Sequence, residues 1–170
     1  MTEKQINEEE QKEVGLYEKL TLRSKELIEG ARDKTVETAE WAIEKAKTEM
    51  IAAGEFGSEQ GERLKTFLIR DLRATGDAAS KMGKTALEIL DPHRVAAGAQ
   101  SILAKILDTV GGTLEGWGGK LESGLDYKTG EMTTPGTMTC KECGNSIKIL
   151  NTGHIPPCHK CRGTKFRKSY

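Results

Sequence analysis

The four cysteines of the chain all lie in its last 31 residues, as Cys140-Lys141-Glu142-Cys143 and, after fourteen intervening residues, Cys158-His159-Lys160-Cys161. Two C-x2-C pairs at this separation suit a tetrahedral thiolate site, because each pair closes a tight knuckle that turns two sulfurs toward one ion. The chemistry to expect is the binding of one metal ion, with zinc as the expected occupant. A closed shell of Cys140, Cys143, Cys158 and Cys161 leaves no open coordination position, so the metal is expected to hold structure rather than to catalyse. His154 and His159 lie close by in sequence, but the shell is complete without them.

Other uses of the thiols rank lower. Iron is the alternative metal, since rubredoxin-type sites use similar knuckles and thiolates accept both ions. The short spacer and the lack of aromatic residues around the ligands favour zinc. Two redox C-x-x-C motifs are a weaker reading, because such motifs open a helix in an alternating strand and helix pattern that this region lacks.

The elements that must position the cysteines are short strands. Gly136-Thr137-Met138-Thr139 leads into the first knuckle, Ser146-Ile147-Lys148-Ile149-Leu150 reads as one strand of the spacer, and Lys165-Phe166-Arg167 leaves the second knuckle. Together they predict a small β zinc ribbon, rubredoxin-like, over 137–170. Gly144 and Arg162-Gly163 follow the two pairs, where a small residue lets backbone amides turn toward the sulfurs.

Charge divides along the same boundary. From Thr137 onward seven basic residues stand against one acidic, a balance of +6, and the first 136 residues carry −6 within a net charge of zero. Four thiolates on one zinc ion contribute about −2, which leaves the loaded ribbon at about +4. Lys141, Lys160 and Arg162 sit in or beside the knuckles, where they offset the thiolates. Lys148, Lys165, Arg167 and Lys168 lie on strands or the tail and form the candidate nucleic-acid-binding set. With only Phe166 and Tyr170 for stacking, such contacts are expected to be sequence-independent phosphate contacts. Docking of the basic ribbon on the acidic helices is a third use of the same charge.

The rest of the chain reads as helix, and the composition of all 170 residues, 31% charged and 5% aromatic, suits extended helices with a limited core. Val14, Tyr17, Leu20, Ser24, Leu27, Ile28 and Ala31 form a first stripe, and Val36, Ala39, Ile43, Ala46 and Met50 a second, beginning near Asp33 and ending before Ala53-Gly54. Ser58 is the expected N-cap of a third helix whose stripe runs from Leu64 to Leu90. Asp91-Pro92 opens a fourth, from Val95 to Val110, and a short helix is expected over 113–124. The fold expected is mainly α: a helical hairpin or bundle over 1–125, a linker over 126–136, and the ribbon over 137–170. The alternating Lys and Glu of 33–49 predict a solvated face with pairs three and four residues apart.

The stretch Ala53-Gly54-Glu55-Phe56-Gly57-Ser58-Glu59 running on to Phe67-Leu68-Ile69-Arg70-Asp71-Leu72, with Leu114-Glu115-Gly116-Trp117, Tyr127-Lys128-Thr129-Gly130-Glu131 and the two knuckles in that order, resembles the bacterial YbeL-like zinc-ribbon family. The resemblance implies a helical N-terminal region followed by a zinc ribbon in a small bacterial protein, and it supplies no activity.

The N-terminus has no apolar run or cleavage pattern, and the longest uncharged stretch of the helical part, Val95 to Ala104, is about half of the roughly 20 residues a spanning helix requires. A cytoplasmic location follows as an expectation, without stable membrane association. No glycine-rich phosphate loop ends in Lys-Ser/Thr, and His93 has no partner acid or nucleophile nearby in sequence, so no enzyme activity is expected. The function expected is that of a zinc-binding, non-enzymatic adaptor with a protein partner, and the alternative is sequence-independent nucleic-acid binding through the basic ribbon. Replacing one cysteine is expected to unfold the ribbon and leave the helices nearly intact.

Overall fold

The computed structural model describes residues 3–82, 99–110 and 126–169, in which packed helices carry a small antiparallel β region. Helix α1 spans Glu3–Gly30, α2 Val36–Ala52, α3 Ser58–Met82 and α4 Ala99–Thr109. Their shared core follows the expected stripes, with Tyr17, Leu20 and Ile28 from α1, Ala39, Ile43, Ala46 and Met50 from α2, Leu64, Leu68 and Leu72 from α3, and Leu103, Ile106 and Leu107 from α4, and it adds Leu16 of α1. The alanines of α2 give it a narrow inward face. Thr21 and Ser24, also buried in α1, bond back to the carbonyls of Tyr17 and Leu20 at 2.7 Å each, so neither hydroxyl is left unsatisfied.

The helix ends differ slightly from expectation. The cap of α2 is Thr35, whose hydroxyl accepts from the Thr38 amide at 3.2 Å, two residues past Asp33. Ser58 is the first residue of α3 rather than its cap, because the Gly61 amide already bonds the Gly57 carbonyl at 2.9 Å. At the C-terminus of α1 the Lys34 ammonium donates to the carbonyls of Ile28, Glu29 and Ala31, and the Ile28 carbonyl also accepts from the Ala31 amide at 3.2 Å. The third stripe beyond Met82, the Asp91-Pro92 start of the fourth helix and the helix expected over 113–124 lie outside the described residues.

The charged side chains of α2 reach further than pairs within one helix. Glu49 meets Arg23 of α1 at 2.8 Å, Glu44 meets Lys65 of α3 at 2.7 Å, and Lys47, buried, bonds both Glu62 of α3 and Glu44. The reason is position: α2 packs against both α1 and α3. Its Lys and Glu rows therefore border two seams.

Six strands follow: β1 Asp126–Lys128, β2 Met132–Thr133, β3 Gly136–Cys140, β4 Ser146–Ile149, β5 Gly153–His154 and β6 Lys165–Ser169. One sheet has the order β1-β6-β3-β4, all pairs antiparallel, and β2 pairs with β5. Residues 126–136, expected as a linker, are thus part of the β region. Tyr127 stands opposite Phe166 and both are fully buried, so β1 adds a wall to the ribbon core. A three-residue strand closed by a turn at Gly130 (φ 84°) offers too little alternation to be read as a strand beforehand.

Candidate metal centre

Each knuckle is a chain reversal tied by its own backbone. Strand β3 delivers Cys140, whose amide bonds the Asn145 carbonyl at 2.8 Å while its carbonyl accepts from the Gly144 amide at 2.9 Å. In the second knuckle the Cys158 amide bonds the Gly163 carbonyl at 3.0 Å, and the Cys158 carbonyl accepts from Arg162 at 2.7 Å. The left-handed residue is Gly144 (φ 72°) in the first and Arg162 (φ 59°) in the second, one position before the glycine. Gly163 serves the sulfur instead, its amide donating to Cys161 Sγ at 3.3 Å. The knuckles also brace each other. The carboxylate of Glu142 lies across Gly163 and accepts from the Thr164 amide at 3.4 Å, and Asn145 Nδ2 contacts His159 Nε2 at 3.2 Å.

This framework brings all four sulfurs within 4.8 Å of one another. Cys140 Sγ is 3.7 Å from Cys161 Sγ, and Cys143 Sγ is 3.6 Å from Cys158 Sγ. A tetrahedron with metal–sulfur bonds of about 2.3 Å has an edge of about 3.8 Å, so the donor set fits one ion of the zinc class. Cys140 and Cys158 are buried and Cys161 is exposed at the rim. The thiols do not ionise alike. The Cys161 amide, with that of Lys160, holds Cys158 down to about 6, against burial. Cys161 has the Gly163 amide in favour of its thiolate, yet the thiols of Cys143, Cys140 and Cys158, together with partial desolvation of its sulfur, push it up to about 12. A bound cation supplies the charge that lets four crowded sulfurs be thiolates together, and its binding becomes folding energy of the ribbon.

On the far side of the sheet lies a second cluster. Asp71 of α3, fully buried, accepts from Tyr127 Oη at 2.9 Å, Tyr17 Oη at 3.2 Å, Thr133 Oγ1 at 3.3 Å and the Thr134 amide at 2.7 Å. Lys168 of β6 lies 3.6 Å from the same carboxylate, both side chains at 0% exposure, and donates to Thr133 Oγ1 at 3.0 Å and Thr134 Oγ1 at 2.6 Å. Burial pulls its ammonium down to about 8, opposed by the charge of Asp71. Arg70, beside Asp71, bonds Glu131 and the Met132 carbonyl, with its guanidinium 3.8 Å over the Tyr127 ring. Ala74, one turn on, packs against the ribbon core. His154 of β5 meets Glu13 of α1 at 2.8 Å, and Met132 enters the helical core. The Arg-Asp-Leu and Tyr-x-x-Gly-Glu motifs are two halves of one clasp.

Of the sequence-derived site residues, the four cysteines converge, and Lys148, Lys165 and Arg167 are exposed on the ribbon. Lys168 is not: it belongs to the interior, and its expected freedom to meet phosphates is corrected accordingly. The signal was present in the strand itself, because Phe166 must face the core and a period of two places Lys168 beside it.

A helical bundle clasped to a four-cysteine ribbon is the class of protein that this architecture defines. The chain belongs to the DUF1451 zinc-ribbon containing domain family, which its residues 26–169 match. That match begins near the end of α1 and takes in α2, α3, α4 and the ribbon. No curated protein and no solved structure matches the chain. Among the described residues no helix is long and apolar enough to cross a membrane.

Proposed function

We propose that the protein is a non-enzymatic adaptor in which a zinc-loaded ribbon is held in fixed orientation on the helical bundle. The observation that supports it best is the Asp71–Lys168 clasp. A buried ion pair costs heavily in desolvation and is a poor route to stability, and one attested use of such groups is to fix a single arrangement of packed parts. A ribbon needed only for its own fold has no use for that fixity, whereas an adaptor presenting two surfaces at set positions does. Four thiolates that complete the shell leave no place for a substrate or an activated water. On the helical side Trp41 is 51% exposed, with the Lys45 ammonium 4.9 Å over its ring, and offers the kind of aromatic anchor that protein interfaces use.

The test is affinity recovery from native extract with the zinc-loaded chain as bait and nuclease treatment as the variable. A defined protein that survives nuclease and is lost with Trp41→Ala is the expected result. Recovery that disappears entirely on nuclease treatment, or zinc-dependent turnover of a substrate by the pure protein, overturns the adaptor reading.

A further inference from the structure

We infer that the outer face of the four-stranded sheet is a binding site for the phosphate backbone of nucleic acid, read without base specificity. It rests on the ribbon being a displayed platform, as proposed above. Paired residues of antiparallel strands share a face, and the register places Lys128 beside Lys165, Arg167 between Asp126 and Thr139, Ser146 beyond Thr139, and Lys148 and Ser169 on either side of Thr137. Lys128, Lys148, Lys165 and Arg167 are all exposed. The one acidic residue on this face, Asp126, is held by Lys141 at 2.8 Å to both carboxylate oxygens. Among the described residues no acidic side chain lies within ion-pair distance of the four cations.

Lys128 and Lys165 stand directly opposite each other in register, an arrangement that costs stability in the absence of an anion between them. Lys165 and Arg167 are two residues apart on one strand, about 7 Å, and neighbouring strands add steps of about 4.8 Å. The result is a grid of cations with Thr137, Thr139, Ser146 and Ser169 between them, hydroxyls of the kind that bond phosphate oxygens. Among the described residues, the paired positions of the face carry no aromatic side chain for bases to stack on and no apolar side chain, the exposed Leu150 lying one residue past the end of β4. Phosphate contact remains. Lys128 joins the set that sequence suggested, and Lys168 leaves it.

The experiment is fluorescence anisotropy of the zinc-loaded full chain with labelled 20-nucleotide oligothymidine and a mixed-sequence RNA of equal length, across a salt series. The expected result is binding to both with similar affinity, weakened at least tenfold by Lys165→Glu with Arg167→Glu and unchanged by Lys12→Glu on α1. The milder Lys165→Gln, which avoids placing a carboxylate in the sheet, is expected to reduce the slope of log affinity against log salt by about 0.7. Absence of binding, an equal loss with Lys12→Glu, or binding only to phosphatidylserine vesicles overturns the inference. A protein partner recovered after nuclease treatment in the face of any of these results keeps the adaptor reading and removes this one.

Discussion

The two faces of the ribbon sheet take the same kinds of residue to opposite ends. On β6, Lys165 and Arg167 stand in solvent while Phe166 and Lys168 are buried, the exposure switching at every step. Outward, a lysine keeps its hydration shell and its charge is screened within about 10 Å at ordinary salt. Inward, Lys168 has traded water for Asp71 and two threonine hydroxyls. The difference teaches that charge count says little about what a basic strand binds. Pleat decides which cations face a partner and which hold the fold, and only the second kind couples the ribbon to the helices.

The largest test of that coupling is the metal itself. Cys143→Ser removes one ligand, and the ribbon is expected to lose its native spectrum because metal binding is its folding energy. With the ribbon undone, Asp71 loses Tyr127, Thr133, Thr134 and Lys168 and keeps Tyr17 of α1, Arg70 loses Glu131 and the Met132 carbonyl, and Met132 leaves the helical core, so the helices do not stay untouched as the sequence alone suggested. The lost hydrogen bonds and the lost Met132 packing cost roughly 3 kcal/mol, which lowers the midpoint of helical thermal unfolding by on the order of 10 °C. Amide protection over Arg70–Thr75 falls with it. An unchanged midpoint shows the two regions to be independent and breaks the comparison.

Next in size is Asp71→Ala in the zinc-loaded protein. It removes the carboxylate that faces the Lys168 ammonium and that accepts from the Tyr17 and Tyr127 hydroxyls, for an expected loss of about 3 kcal/mol in urea unfolding. Asp71→Leu combined with Lys168→Met removes both charges and is expected to recover part of the loss. A double variant as damaged as the single one assigns the effect to packing rather than to the pair.

Much of this architecture is legible without coordinates, for reasons tied to particular residues. The Cys140 to Cys161 spacing specifies a knuckle pair because two thiolates three residues apart have few other geometries. Leu64, Leu68 and Leu72 announce α3 by their period. What stays hidden depends on partners distant in sequence. Asp71 sits among leucines on a polar helix, and nothing local says that its acceptors meet Tyr127 and Thr134 more than fifty residues away. The three residues of β1 are strand only because β6 lies beside them. Lys168 was the readable exception, one pleat from Phe166.

The smallest expected effect separates the faces by pH. Lys168 binds its proton less tightly in the folded chain, at about 8, than at the ordinary 10.5. Between those values the unfolded chain holds more protons, so folding stability rises with pH through the window and is flat below it as far as this group is concerned. The rise from this lysine between pH 8 and 10 is on the order of 2 kcal/mol. Lys168→Met is expected to lose that rise in the zinc-loaded protein, measured against the parent chain so that other titrations cancel. Lys165→Met, one pleat step removed on the outer face, is expected to keep it and to change stability at pH 7 by less than about 0.5 kcal/mol. If the two variants gave the same pH profile, the inner lysine would be as solvated as the outer one, and the clasp would have no charge at its centre.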